Sequence, residues 1–274
     1  MSGFLDDMAQ SSAQRVLDAK QRESFAALER RAQRAAHSPP LRLSAGGFDV
    51  IAELKLRSPA AGVLGDTGDD WLGRVAAYAR GGAAAVSVLT EPSRFDGSLE
   101  HLRQAAAVLA PLGVPAMRKD FLVDPYQVLE ARAAGAGGVL VILRMLSRER
   151  ITELLDAAAD HRLFVLLEAF DAADLELARE LLAARRSEES ILIGINSRDL
   201  QTLKVVQERF AVLAPLLPDR WACVAESGVA TPFDARAMRQ LGYRLALIGT
   251  ALMNRDDPAL LLEEILNATR TVPA

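Results

Sequence analysis

Cysteine is nearly absent from this sequence, since Cys223 is the single one among 274 residues. One cysteine can form neither a disulfide within the chain nor a cysteine-based zinc site. An excess of positive charge is also missing, because 32 lysines and arginines are outnumbered by 36 aspartates and glutamates, for a formal net charge of −4. This balance lacks the electrostatic signature of nucleic-acid binding. We therefore expect no disulfide framework and no nucleic-acid partner.

No long hydrophobic run opens the chain. Charged residues interrupt its first twenty positions at Asp6, Asp7, Arg15, Asp18 and Lys20. A signal peptide or a membrane-spanning helix needs an uninterrupted apolar segment, which this stretch does not contain. The sequence thus predicts no membrane association, and a cytoplasmic location follows by default.

Metal-ligand motifs are missing as well. His37, His101 and His161 fall in or beside helical segments, away from the other candidate polar sites. No His/Asp/Glu cluster has the spacing of a metal site. We predict that the protein binds no metal and needs no cofactor.

Hydrophobic residues, in contrast, make up 50% of the chain and follow a repeating pattern. From Phe48 onward a short apolar run, a polar loop and a longer helical segment recur to the end. Such alternation predicts parallel βαβ units, and eight of them form an α/β fold, the (β/α)8 TIM barrel. The competing doubly wound sheet usually carries a G-x-G-x-x-G turn after its first strand, which is absent here. The predicted strands are 48–54, 84–89, 114–118, 138–143, 163–167, 191–195, 221–225 and 245–248. The predicted helices are 70–80, 98–110, 125–135, 147–160, 172–184, 202–214, 231–241 and 257–269.

A helical segment precedes the first strand. Residues 4–36 are rich in Ala, Glu, Arg and Gln, with apolar residues at roughly helical spacing. The paired prolines Pro39 and Pro40 then forbid a continuing helix. We predict a single barrel domain over 1–274, in which 1–47 is an N-terminal helical extension over the barrel mouth.

Two charged residues stand out near the end of the first strand. Because strand side chains alternate faces, Ile51, Glu53 and Lys55 share one side. Burying a carboxylate and an ammonium costs several kcal/mol unless they are paired or used. A structural ion pair is one interpretation, and a functional site is the other.

Polar residues also follow the other predicted strands, and this favours the functional interpretation. Catalytic groups of such barrels sit at the carboxyl ends of the strands, so these residues are expected to converge on one mouth. The residues at the ends of all eight predicted strands, including two glycines, are Glu53, Lys55, Glu91, Lys119, Arg144, Glu168, Asn196, Arg198, Glu226, Ser227, Gly228, Gly249 and Thr250.

The last two strands end in a pattern typical of an anion site. Ser227, Gly228, Gly249 and Thr250 follow them. Glycine lets backbone N–H groups approach a ligand, and barrels of this kind bind phosphate there against a short extra helix. Residues 250–254 have the length for that helical turn. We predict a phosphate site between the seventh and eighth strands.

A series of motifs resembles the indole-3-glycerol phosphate synthase family over nearly the whole chain, in the family's order. The N-terminal helical extension is a trait of that family as well. The matching stretches are 51–55 with Ser58-Pro59, 89–92 with Phe95 and 97–99, 117–121 with 124–127, 167–168, 194–200, 224–228 and 247–253.

Four positions depart from the family's usual pattern. Ala61 replaces a basic side chain after Ser58-Pro59, Phe170 stands where a His or other polar residue is common, Asp96 where Gly is common, and Arg144 where a small residue is common. None of these removes a residue to which chemistry is assigned.

The resemblance implies conversion of 1-(2-carboxyphenylamino)-1-deoxyribulose 5-phosphate into indole-3-glycerol phosphate, carbon dioxide and water. It makes Lys119 the general acid and Glu168 an acid/base, with Glu53 and Lys55 as a second catalytic pair. Alternatives from the residues themselves are a surface pair between Lys119 and Asp120, and a salt bridge between Glu168 and Lys119.

The resemblance also implies a binding site for this phosphosugar. Asn196 and Arg198 would meet a hydroxyl and the carboxylate, with Glu226 ordering that network. The residues that would contact the rest of the substrate are Ser58, Phe95, Met117, Phe121, Leu140, Ile142 and Leu200, with Ser227, Gly228, Gly249 and Thr250 at the phosphate.

Other functions remain open at this point. A different phosphosugar barrel, such as a phosphoribosylanthranilate isomerase, would share the phosphate site but would not need Glu53, Lys55, Lys119 and Glu168 together. A paralogue with altered specificity or a non-catalytic partner subunit is the further alternative. Association with other tryptophan-pathway enzymes is expected from the resemblance.

Overall fold

Eight parallel strands form a closed barrel in the computed structural model, which describes residues 3–270 apart from 46, 59–61, 64–69, 187–188 and 201. Each strand pairs with its sequence neighbours, and the last pairs with the first. The prediction of a (β/α)8 barrel is thereby confirmed. The strands are β1 (Asp49–Leu54), β2 (Ala85–Leu89), β3 (Ala116–Lys119), β4 (Gly138–Ile142), β5 (Phe164–Ala169), β6 (Ile191–Asn196), β7 (Ala222–Glu226) and β8 (Leu245–Ile248).

Both faces of each strand are covered, because alternate side chains point into the barrel and out toward the helices. In β1, Ile51 belongs to the apolar cluster inside the barrel, whereas Val50 and Ala52 join the larger cluster under the helices. Cys223 on β7 lies in that outer cluster as well. This double burial explains why the strands appear in the sequence as apolar runs.

The register of the strands brings polar residues to one level at the carboxyl ends. Asn196 is opposite Glu226, Glu168 is opposite Ile142, and Lys119 is opposite Leu89. The barrel wall therefore presents these side chains around a single opening.

Helices follow the strands, and several begin at a side-chain cap. Asp124, for example, accepts a hydrogen bond from the N–H of Tyr126 at 2.9 Å, and Pro125 takes the first helical position. In the described part of the chain, none of the helices is both long and apolar enough to cross a membrane. The helices are α1 (Phe4–Arg22), α2 (Phe25–Arg34), α3 (Trp71–Arg80), α4 (Pro92–Phe95), α5 (Leu99–Leu109), α6 (Pro125–Ala133), α7 (Arg148–Asp160), α8 (Ala172–Leu182), α9 (Glu208–Leu213), α10 (Pro232–Gln240), α11 (Thr250–Met253) and α12 (Pro258–Arg270). Single 3-10 turns cover Ala110–Leu112, Leu143–Met145 and Ala214–Leu216, and a short hairpin pairs Arg57–Ser58 with Gly62–Val63.

The predicted helix over 202–214 is wrong in its first half, since α9 begins only at Glu208. Asp199 accepts a hydrogen bond from the N–H of Thr202 at 2.7 Å, and Arg198 forms an isolated antiparallel bridge with Val205. This local side-chain bond competes with helix formation. The loop after β6 therefore folds back on itself.

The N-terminal helices start at the barrel mouth and continue along its outside. Phe4 and Leu5 line the cavity at the mouth. Farther along α1, Arg15 pairs with Asp120, and α2 buries Leu28 against α6. The amphipathic faces of both helices thus cover the α6 side of the barrel.

The segment after α2 reaches the opposite end of the barrel. Leu41 and Leu43 pack against the inner apolar cluster and face Ile191 and Ala222, the first residues of β6 and β7. The sequence placed all of 1–47 over the mouth, whereas in the structure the beginning of α1 lies there. An amphipathic pattern predicts that a helix is buried and does not identify its partner surface.

Candidate active site

A cavity of about 520 Å³ opens at the carboxyl ends of the strands. Met117, predicted to face this cavity, is fully buried within the barrel's inner apolar cluster. Ser58 belongs to the short hairpin, and its side chain lies outside the described part of the structure. The predicted residues that line the cavity are Glu53, Lys55, Phe95, Lys119, Phe121, Leu140, Ile142, Glu168, Asn196, Arg198, Leu200, Glu226, Ser227, Gly228, Gly249 and Thr250.

Lys119 lies among three carboxylates that come from three other strands. Its Nζ is 3.0 Å from Glu226 Oε2, 3.8 Å from Glu53 Oε2 and 4.0 Å from Glu168 Oε1. Its side chain is only 16% exposed. Asp120, the partner of the alternative surface pair, binds arginine side chains instead. Lys119 is therefore directed into the barrel mouth.

The first-strand pair lies at the same mouth. Lys55 Nζ donates to Glu53 Oε1 at 2.7 Å, and both side chains are almost completely buried. Two lysines and three glutamates thus share one small volume, which is far more charge than a purely structural pair requires.

This crowding shifts the pKa values of three groups. Burial by itself lowers the pKa of Lys119, but the carboxylates of Glu226, Glu168 and Glu53 outweigh it and raise that pKa above its ordinary value. Burial raises the pKa of Glu226 to about 8, with Lys119 opposing and Glu168 and Glu53 adding to the shift. Burial also favours neutral Glu53, but Lys55 and Lys119 outweigh it and lower its pKa. Lys119 is accordingly an ammonium at neutral pH, and Glu226 exchanges a proton in the neutral range.

A network of amide and hydroxyl groups holds the second side of the mouth. Asn196 Nδ2 donates to Glu168 Oε1 at 2.7 Å, while Asn196 Oδ1 accepts from the N–H of Arg198 at 2.9 Å and from Ser227 Oγ at 3.0 Å. The Arg198 side chain donates to the carbonyl oxygen of Leu203 at 2.7 Å. Asn196 therefore links Glu168 to the loop after β7.

Two glycines, Gly194 within β6 and Gly249 directly after β8, make room for the carboxylates. A Cβ atom at Gly194 would overlap Glu226 Oε1, and one at Gly249 would overlap Glu53 Oε1 and lie 3.1 Å from Lys55 Nζ. Sequence reasoning overlooked Gly194, because only the three-dimensional arrangement shows what occupies the missing side chain's volume. The contacts at Gly249 also mean that a side chain there would disturb the Glu53–Lys55 pair as well as the predicted phosphate site.

The predicted phosphate site has an unusual backbone. Ser227 adopts φ 65° and Gly228 φ 86°, so two consecutive residues have the left-handed conformation. Consecutive N–H groups in such turns form anion-binding concavities, and a non-glycine residue adopts φ near +60° only when its surroundings favour it. The predicted short helix is present as α11, directly after Gly249.

Aromatic rings form the apolar wall of the cavity. The Phe121 ring has its centre 5.8 Å from that of Phe4 and 6.3 Å from that of Phe95. Phe4 and Leu5 were not predicted to line the site, because their distance from the strands in the sequence gives no sign of it. The wall can accept a flat aromatic group.

Three of the four departures from the family pattern have a visible structural role. Asp96 adopts φ 54°, a conformation that glycine favours and aspartate tolerates. The Arg144 guanidinium carbon lies 4.5 Å from the centre of the Phe170 ring, so these two residues form one contact. Ala61 lies outside the described residues.

Glu91 was predicted to lie at the mouth, but in the structure its carboxylate caps α4. It accepts hydrogen bonds from the N–H groups of Ser93 and Arg94 at 2.9 and 2.7 Å. The residue is 1% exposed and forms the N-cap of α4. Its acidity serves the helix terminus. Arg144, similarly, donates to Asp174 beside the mouth.

The fold and this site define the class of the protein, a (β/α)8 barrel with a cluster of lysines and glutamates at its mouth. In the described residues no group of three or more His, Cys, Asp or Glu side chains is arranged to hold a metal ion. Comparison with known proteins then gives the particular family.

The family model described as indole-3-glycerol phosphate synthase matches residues 5–265. The indole-3-glycerol phosphate synthase of Nocardioides sp. is 43% identical over 247 residues, which is 88% of this chain and 91% of that protein. That of Bordetella pertussis is 37% identical over 272 residues, 97% of this chain and 100% of that protein. The chain therefore belongs to the indole-3-glycerol phosphate synthase family, the carboxy-lyases of tryptophan biosynthesis.

A solved structure also resembles the barrel. Thiamine phosphate pyrophosphorylase from Pyrococcus furiosus matches with a TM-score of 0.58 at 15% identity, over 83% of this chain and 98% of that chain. At this identity the similarity concerns the fold alone.

Proposed function

We propose that this chain converts 1-(2-carboxyphenylamino)-1-deoxyribulose 5-phosphate into indole-3-glycerol phosphate, carbon dioxide and water. The observation that supports it most is Lys119, an ammonium within 4.0 Å of the carboxyl groups of three glutamates beside an aromatic wall. A reaction that needs proton donors, proton acceptors and a flat apolar pocket matches these groups.

The reaction has three steps with different proton requirements. The ring carbon that bears the carboxylate attacks the ketone carbon, and the ketone oxygen takes a proton. The bond to the carboxylate then breaks, which releases carbon dioxide and restores the aromatic ring. Finally the hydroxyl leaves as water with a proton from an acid, and the adjacent carbon loses a proton to a base.

Lys119 serves the first step in this proposal. Its raised pKa keeps it protonated, so it places a positive charge and a proton beside the developing alkoxide. The carboxylates around it keep that charge in place before the substrate arrives. A low-dielectric, mostly buried position strengthens its interaction with the alkoxide.

Glu168 and the Glu53–Lys55 pair serve the later proton transfers. Glu168 is held by Asn196 at 2.7 Å, which fixes the direction of its carboxylate. Lys55 supplies a second positive charge at the mouth, for an anionic part of the substrate or for the leaving hydroxyl. Each of these groups lines the same cavity as Lys119.

The remaining predicted residues bind the substrate. Arg198 faces its carboxylate, which suits a guanidinium. Phe121 and its aromatic neighbours take the phenyl ring. The N–H groups after β7 and β8, at Ser227, Gly228 and Gly249, take the phosphate. The left-handed turn at Ser227 and the start of α11 support this placement.

The test is an assay of the purified chain with this substrate, followed by indole fluorescence and by carbon dioxide release. We expect one carbon dioxide per indole formed. Turnover of phosphoribosylanthranilate in place of this substrate would indicate the isomerase alternative. Absence of turnover with a correctly folded chain and pure substrate would contradict the proposal and favour a non-catalytic partner subunit.

We also propose a cytoplasmic location and an association with other tryptophan-pathway enzymes. Membership of a family of tryptophan biosynthesis supports both proposals. Fractionation of cells and co-purification with the pathway's enzymes would test the two statements separately.

A further inference from the structure

Gly194 lies on the inward face of β6, two residues before Asn196. A Cβ atom at this position would overlap Glu226 Oε1 and lie 3.0 Å from Glu226 Cδ. The Glu226 carboxylate thus occupies the volume that any other residue's side chain would fill. Leu166 Cδ1 borders the same volume, at 3.1 Å.

The backbone at Gly194 does not itself require glycine. The residue lies within a regular strand, paired with Glu168 on one side and Val224 on the other. Its φ lies outside the left-handed range that favours glycine. The space it leaves open is therefore the feature that distinguishes it from other strand residues.

Among the described residues, few groups besides Gly194 hold the Glu226 carboxylate in place. Its Oε2 accepts from Lys119 Nζ at 3.0 Å. Its Oε1 is buried and has no hydrogen-bond partner among the described residues. The carboxylate is thus confined between the bare Cα of Gly194 and the ammonium of Lys119, with no further hydrogen bond to fix its direction.

We propose that Gly194 is a positioning residue for the hydrogen bond between Lys119 and Glu226. The missing side chain on β6 leaves room for the Glu226 carboxylate to lie against Gly194, in the position from which it contacts Lys119. Gly194 touches neither the substrate nor the reacting atoms, and it acts through Glu226. This inference rests on the proposed function for the measurement of turnover, and the measurement of unfolding temperature is independent of that function.

A double-mutant cycle tests the coupling. Gly194→Ala should lower kcat by about 10²-fold, the cost of a displacement near 1 Å, while KM stays close to that of the wild type. In the Glu226→Ala background the same change should have little further effect, because no carboxylate remains to be displaced. The same non-additivity is expected in the thermal unfolding temperature.

Gly138 supplies the matched control. A Cβ atom there would overlap the ring of Phe164 and not a carboxylate. Gly138→Ala should therefore lower stability by the same amount in the wild type and in the Glu226→Ala background.

Two outcomes would overturn the role of Gly194. One is wild-type kcat and stability in Gly194→Ala. The other is an equal loss with and without Glu226, which would indicate packing against Leu166 alone. If the wild type does not turn over the substrate, the proposed function fails, and the unfolding temperatures still decide whether Gly194 and Glu226 are coupled.

Discussion

At the scale of single residues, the barrel mouth is dominated by Glu226. This carboxyl is fully enclosed, lies 3.0 Å from Lys119 Nζ, and has a pKa raised to about 8, chiefly by burial. A carboxyl group whose pKa is raised in the folded state stabilises that state less as the pH rises, because in the unfolded chain the same group releases its proton at a lower pH. Glu226 thus makes folding stability pH-dependent in a known direction.

Replacing Glu226 by Gln should remove this dependence. As the pH rises from 4.5 to about 8, the free energy of unfolding of the wild type loses the contribution of protonated Glu226, and that of the variant does not. The stability of Glu226→Gln relative to the wild type should therefore increase over this pH range and then level off. Urea unfolding at pH 5, 6.5 and 8 measures it. The exposed Glu263→Gln is the control for the loss of one carboxyl. A stability difference that does not vary with pH would show that Glu226 ionises normally.

Much of the site at this scale could be predicted from the sequence. Alternation along β1 and the rule that strand ends carry function were enough to bring Glu53, Lys119 and Glu168 together. Gly194 could not be found this way, since its role depends on a side chain from a neighbouring strand. Glu91 was misplaced because a polar residue after a strand can equally cap the next helix.

At the scale of secondary-structure elements, Arg144 joins the 3-10 turn after β4 to the start of α8. Its Nε and Nη2 donate to Asp174 Oδ2 at 2.9 and 2.6 Å, and the same oxygen accepts from the N–H of Phe170 at 2.7 Å. The guanidinium also covers the ring of Phe170, which lines the cavity. The Asp174 carboxylate thus holds both the Arg144 guanidinium and the backbone of Phe170.

Arg144→Met should loosen that part of the wall. We expect a loss of about 1–2 kcal/mol in the free energy of unfolding, from a charged hydrogen bond and a cation–π contact. KM should rise several-fold with kcat nearly unchanged, because Phe170 is part of the apolar lining of the cavity and is not one of the proposed proton-transfer groups. Arg150→Met, which breaks an exposed pair with Glu153, is the control. Wild-type KM and stability in Arg144→Met would show that the contact has no effect.

The N-terminal helix is joined to the barrel by Arg15. Its Nη1 and Nη2 donate to the two oxygens of Asp120 at 3.0 and 2.7 Å, beside Lys119 in the sequence. Burial disfavours ionised Asp120, but Arg118 and Arg15 outweigh it and hold its pKa well below the ordinary value. Amphipathic spacing predicted the helix itself, and it could not predict this bidentate pair across more than one hundred residues.

Arg15→Met should therefore lower the free energy of unfolding by about 2 kcal/mol or more, because it leaves a buried carboxylate with one fewer partner. Denaturant unfolding measures the loss. Lys20 lies on the same helix as Arg15 and pairs with Asp124, the N-cap of α6; Lys20→Met removes this more exposed pair and should cost less than about 0.5 kcal/mol. Equal effects of the two substitutions would mean that Arg15 does not anchor α1.

At the scale of the whole molecule, we propose one domain in which the N-terminal segment and the barrel stabilise each other. Phe4 reaches the mouth, while Leu41 packs against the inner cluster at the opposite end. The alternation of strands and helices predicted the barrel, because it follows from local periodicity. The path of residues 1–47 could not be predicted, since it depends on which apolar surfaces the finished barrel leaves uncovered.

Lys119 connects these scales, because it ends β3, lies among the glutamates of the mouth and is the proposed general acid. The most direct measurement compares Lys119→Met with the wild type in two respects, the dissociation constant for the substrate and the rate of indole formation in a single turnover. We expect nearly unchanged binding and a rate lower by about 10²–10⁴-fold, the usual contribution of a positioned acid. A single-turnover rate close to that of the wild type would contradict the assignment of Lys119 as the general acid.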